Sequence, residues 1–81
     1  MSIAERLSHL TIKDDGFLFD STTGDTYVAN STALTMLRWI QDGCDELQVA
    51  EEAVRRFDAG EHEIRRDVAD LMSRLRSWQL L

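Results

Sequence analysis

The sequence is short of the groups that most catalysis, export and membrane insertion require. Its single cysteine, Cys44, has no partner for an intramolecular disulfide. Nothing at the N-terminus joins a charged segment to an apolar one as a secretory signal does, so the cytoplasm is the expected compartment. No run approaches the roughly eighteen apolar residues that span a bilayer, which argues against membrane insertion. Basic charge is scarce too: nine Lys and Arg stand against fifteen Asp and Glu, a net charge of −6. Phosphate binding draws its affinity from Lys and Arg, so nucleic acid would meet a repulsive surface.

Chemistry-bearing clusters are equally thin. His9 and His62 are far apart and no second cysteine or paired-histidine spacing accompanies them, so no metal site is expected. Cys44 has the acidic neighbours Asp42, Asp45 and Glu46 rather than the cationic ones that activate a nucleophilic thiol. Asp14 with Asp15, and Glu51 with Glu52, are adjacent pairs; neighbours on a helix do not face each other, and these read as solvating charge rather than a catalytic dyad. No cofactor and no catalytic activity are expected.

What is present is one domain of 81 residues, residues 1–81, with 43% hydrophobic and 30% charged residues, enough for a core and a soluble surface. The first half alternates with period two and the second with period 3.6, the pattern of an α+β domain whose strands precede its helices. Leu7 to Ile12 reads as a first strand, followed by a turn at Lys13 to Gly16. Phe17 to Phe19 and Thr26 to Ala29 read as two more, separated by turn formers from Asp20 to Asp25, giving a three-stranded antiparallel meander. A first long helix starts near Thr32 with a cap among Asn30, Ser31 and Thr32, buries Ala33, Met36, Leu37 and Ile40, and ends at Gly43. Asp45 and Gln48 form a capping-box pattern for a second, extending through Phe57. A third runs from about Glu61 to Trp78, with Ile64, Val68, Leu71, Met72, Leu75 and Trp78 on its core stripe.

Three strands and then three helices, two short and one long, outline a winged helix-turn-helix. Within that outline stand, in order, Phe19 with Asp20, Thr23 with Gly24, Tyr27 with Asn30, Thr32 with Ala33, Asp42 with Gly43, Ala50, Asp67 with Val68, Leu71 with Met72, Leu75, and the closing Leu80 and Leu81. Over residues 13–81 this set resembles the PqqD family of peptide chaperones, also called RiPP recognition elements. The resemblance implies a non-catalytic domain that binds the leader segment of a ribosomally synthesised precursor peptide. The leader would lie as an added strand beside the third strand and third long helix, and be presented to a modifying or processing enzyme: a radical-SAM protein, a cyclodehydratase or a leader peptidase. Carried onto this sequence, the groove would be formed by Thr26, Tyr27, Val28 and Ala29 and, on the helix, by Arg65, Ala69, Met72 and Arg76. The chain departs from the family at Gln79, where a helix-ending glycine is usual, at Ala29, where a larger aliphatic is usual, and at Asp45, which replaces a threonine cap.

The residues support the same task independently. The third strand of a meander keeps one unpaired side, a template for an extended peptide, or for a second copy of the chain in an edge-strand homodimer in place of a monomer. If Tyr27 and Ala29 point to the helices, Thr26 and Val28 point away from them. The arginines of the third helix either meet guest carboxylates or pair with Glu61, Glu63 and Asp70, and Asp67 either orders the groove or pairs with Arg74 or Arg66. Trp39 is read as packed against the sheet or the third helix, with a partner-facing anchor as the other reading. The alternative function is a winged-helix DNA-binding transcriptional regulator, against which the lack of a basic stripe on the second or third helix counts.

Overall fold

The computed structural model describes residues 3–80, so Leu81 of the closing leucine pair lies outside the described residues. The order is α1 (Ile3–Arg6), β1 (Leu10–Ile12), β2 (Phe17–Asp20), β3 (Thr26–Val28), α2 (Ser31–Gln41), α3 (Glu46–Arg56) and α4 (Glu61–Ser77). The strands form one antiparallel sheet in the order β1-β2-β3. The expected α+β meander is therefore present, and the three long helices are α2, α3 and α4.

The first strand is shorter than its sequence suggests, and a helical turn precedes it. Leu7 and Leu10 are both buried, and residues three apart reach one side only if the chain between them turns; in a strand they would face opposite ways. The turn is closed by the Ser8 and Leu10 N–H groups, which donate to the carbonyls of Glu5 and Leu7 at 3.2 and 3.0 Å.

The two hairpin turns are built by their own side chains. Lys13 and Phe17 close the first, where Gly16 has φ 93° and its carbonyl accepts the Ala29 N–H at 2.9 Å. Asp20 is buried at the second, its carboxylate accepting the Thr22 N–H at 2.8 Å while its carbonyl accepts the Gly24 N–H at 2.8 Å. That use explains a buried acid without an ion pair: its charge is held by a main-chain donor.

The helix ends follow the capping logic of the sequence. Asn30 accepts the Ala33 N–H at 2.8 Å, and Asp45 and Gln48 exchange bonds of 2.8 and 2.9 Å in a complete capping box. Gly43, at φ 114°, closes α2 with paired bonds from Gly43 to Ile40 and from Cys44 to Trp39. Phe57 caps α3 in extended conformation and is not part of the helix. The family departure at Gln79 does not abolish the last turn: Gln79 takes φ 60°, donating to Arg76 O at 3.0 Å while Leu80 donates to Leu75 O at 2.9 Å. A side chain thus occupies the left-handed position that glycine fills without strain, and the half-buried Leu80 packs against the core as the motif requires.

The core joins Leu18 of the sheet, Leu7 and Leu10, the stripe Met36, Leu37 and Ile40 of α2, Val49 and Ala50 of α3, and Val68, Leu71, Met72 and Leu75 of α4. Two substitutions should move stability in opposite directions, read by urea denaturation. Gln79→Gly removes the left-handed strain and is expected to gain about 0.5–1 kcal/mol net of the added unfolded-state entropy. Gly16→Ala would place a Cβ 2.8 Å from the Ala29 carbonyl oxygen at a positive φ, and is expected to cost roughly 2 kcal/mol or more.

Candidate functional site

The hydrogen-bond phase of the sheet determines which groups remain for a guest. Asp20 donates to Asp25 O and Ala29 to Gly16 O, both at 2.9 Å, and Leu18 lies opposite Tyr27. Bonded and non-bonded pairs alternate in an antiparallel ladder, so Leu18 with Tyr27 is a bonded pair. Phe17 with Val28 and Phe19 with Thr26 are the non-bonded ones. The N–H and C=O groups of Thr26 and Val28 consequently point away from β2 to the free edge.

The opposite edge is occupied at its start. Gln41 of α2 donates its Nε2 to the carbonyls of Leu7 at 3.1 Å and Leu10 at 2.7 Å, and the Leu10 N–H is held by Leu7. One side chain from a neighbouring helix therefore blunts β1, and the sheet offers pairing groups along β3.

Side chains alternate across β3 as the conditional reading of the sequence has it. Tyr27 is half-buried and stacks on Trp78 at the end of α4, with ring centroids 4.6 Å apart and planes at 23°. Ala29 packs against the core, while Thr26 and Val28 are exposed on the other face.

Where β3 ends, a depression of about 190 Å³ opens between the start of α2 and α4. Asn30, Ala33 and Met36 line one side and Asp67, Asp70, Leu71 and Arg74 the other. Among the described residues no ion pair within 4.0 Å involves Asp67, Asp70 or Arg74, so of the two readings of Asp67 the pairing with Arg74 or Arg66 is absent. Two carboxylates and a guanidinium face this depression without being matched to one another.

Arg65, Ala69, Met72 and Arg76 are not among its lining residues. Ala69 and Arg76 each lie two positions beyond Asp67 and Arg74, about 200° around the helix. Arg65 pairs with Glu61 at 3.0 Å, Ala69 and Arg76 are exposed, and Met72 is buried in the core. Trp39 is half-buried against the core, its ring 5.9 Å from that of Phe57 at the end of α3. Among the described residues there is no group of three or more His, Cys, Asp or Glu that could hold a metal, and no helix long and apolar enough to cross a membrane.

Tyr27 marks the electrostatics of the groove. Its hydroxyl is held above the ordinary tyrosine range first by removal from water and then by the negative charges of Asp25 and Asp20. The neutral phenol is the form the site favours.

Comparison with known proteins gives a consistent result. Residues 15–81 match the family model described as Coenzyme PQQ synthesis protein D (PqqD). The chain is similar in structure to a solved protein described as lasso peptide synthetase B1 complexed with the leader peptide, at TM-score 0.69 and 25% identity. The match covers 84% of this chain and 81% of that one. No curated protein sequence matches the chain.

Because Tyr27 is the single tyrosine, its ionisation can be followed by ultraviolet absorbance without interference. The midpoint is expected above the ordinary value of about 10, and Asp25→Asn should lower it. By linkage, a raised acid pKa leaves this residue's contribution to stability intact below the unfolded pKa and removes it as pH rises through the folded one.

Proposed function

The chain belongs to the PqqD family, and from that premise we propose that it is a RiPP recognition element, holding the leader of a ribosomally made precursor peptide and presenting it to an enzyme. The observation that carries the reading is the asymmetry of the sheet: Gln41 occupies the Leu10 end of β1, while Thr26 and Val28 of β3 direct their main-chain groups outward. The leader adds as a further strand. Main-chain bonds supply affinity that tolerates sequence, and side chains beside the strand supply selection. The leader complex of the structurally similar lasso peptide synthetase B1 supports this assignment.

In this proposal Thr26, Tyr27, Val28 and Ala29 form the strand wall. The helix wall is the flank of Asp67, Leu71 and Arg74 with Trp78 at its end, because these border the depression or stack on β3. Arg65, Ala69 and Arg76 do not line the depression, and Met72 is buried in the core. The domain does no chemistry of its own; its work is to raise the local concentration of a substrate that another protein modifies or cleaves. Suitable recipients are a radical-SAM enzyme, a cyclodehydratase or a leader peptidase. DNA binding is disfavoured by the charges on α3, where Glu52 holds both Arg55 and Arg56, at 2.6 and 2.7 Å.

The test is titration with the leader of a precursor encoded beside this chain's gene, followed by amide chemical shifts. Binding near micromolar strength, about −8 kcal/mol, is expected to perturb Thr26 to Ala29 together with the Asp67, Leu71 and Arg74 flank. Val28→Pro discriminates sharply, since the lost N–H points to the free edge and proline is tolerated on an edge strand. Binding should fall at least tenfold with the fold intact; unchanged binding by this variant would sink the strand-addition reading.

A further inference from the structure

The outer face of the sheet, away from the helices, carries an unusual amount of apolar surface. Val28 is 65% exposed, Phe17 46% and Phe19 40%. These residues are not scattered. Phe17 lies directly opposite Val28, and Phe19 lies between Thr11 and Thr26, so they form two parallel rows running across the strands to the open edge. The first row is apolar, Phe17 then Val28; the second is Thr11, Phe19, Thr26.

Resting on the strand-addition reading above, we propose that this outer face reads the guest peptide as well as the groove does, with Val28 as a specificity-determining residue. The hydrogen-bond phase leads to this. The edge groups belong to Thr26 and Val28, so the guest residues directly opposite them form the bonded pairs, and directly opposed side chains share a face. Those two guest residues project outward. The one opposite Val28 extends the Phe17–Val28 row and is apolar, β-branched or aromatic, because such cross-strand neighbours stabilise one another and cover surface that is otherwise wet. Two positions along, the residue opposite Thr26 extends a row that ends in a hydroxyl, and a threonine or other β-branched residue fits there. The residue between them turns inward beside Tyr27.

The occupant is a peptide strand rather than a second copy of this chain. β3 offers three residues for pairing, and each copy brings a net charge of −6 to the encounter. The exposed row is also continuous with the very edge to which the peptide bonds.

A phage-displayed library of random twelve-residue peptides, selected in parallel on the wild-type chain and on Val28→Lys, tests this. Enriched wild-type binders that shift the Thr26 and Val28 amides should carry an aromatic or β-branched residue at one outward position. On Val28→Lys that position should turn acidic while the inward positions keep their preference, and wild-type binders should weaken about two- to fivefold. Outward positions without preference, or a preference that ignores the Val28→Lys exchange, would overturn the proposal while leaving strand addition standing. Enriched peptides that leave the β3 amides unmoved would overturn both readings. A dimer by light scattering that Val28→Lys disperses would overturn the choice of occupant.

Discussion

The phase of the hydrogen bonds along β2 is the constraint on which the site depends. Leu18 is fully buried, and its burial decides which face of β2 turns inward. That choice fixes Tyr27 opposite it on the inner face and leaves Phe17 and Phe19 outside with Val28 and Thr26. The same phase sends the main-chain groups of Thr26 and Val28 to the open edge. Slipping β3 by one residue would exchange the exposed and stacked side chains and turn the outward amides inward. Two glycine-containing turns hold the register, and at the first Gly16 also bonds the residue that follows β3.

A sheet with two edges must distinguish them if only one is to be used. Here the difference comes from one amide side chain, because Gln41 occupies carbonyls that would otherwise be available beside β1. The donor stands on the last turn of α2, which Met36, Leu37 and Ile40 anchor in the core. A free carbonyl row would invite pairing at the wrong edge. Occupying the Leu10 end of β1 in this manner would, in the strand-addition proposal, favour pairing along β3, beside which Trp78 stacks on Tyr27.

Much of this was readable from the sequence because local chemistry and global fold agree. Asn30, Asp45 with Gln48, and Gly43 name their helix ends, and alternation within residues 17–20 and 26–29 marks the strands. The ordered motifs from Phe19 to Leu80 carry the family. The missing pieces have physical reasons. The turn at α1 depends on Leu7 and Leu10 reaching one core, which a short alternating pattern does not distinguish from a strand. The two flanks of α4 are each polar and each bear arginine, so helical periodicity identifies the buried stripe without saying that the Asp67 and Arg74 side lines a depression against α2. Trp39 meets Phe57, a contact between α2 and the residue that caps α3 that no spacing encodes. At Gln79 residue type argued against a left-handed turn, but the two carbonyls satisfied there and the seat of Leu80 outweigh a strain of about 1–2 kcal/mol.

The brevity of β3 has consequences in both directions. An exposed edge is a hazard in proportion to its length, and three residues preceded by Asp25 and followed, after Ala29, by the helix cap Asn30 offer little template for uncontrolled pairing. The same brevity limits what main-chain bonds alone can provide: the outward groups of two residues give a handful of bonds, each contributing only about 1 kcal/mol net of water. Binding by a guest must also offset the entropy of ordering an extended segment. In the strand-addition proposal, the remaining affinity comes from side chains on both faces of the added strand, from Tyr27 and the α4 wall inside and from Val28 outside. A short edge backed by two selective faces binds few peptides well, whereas a long bare edge would bind many.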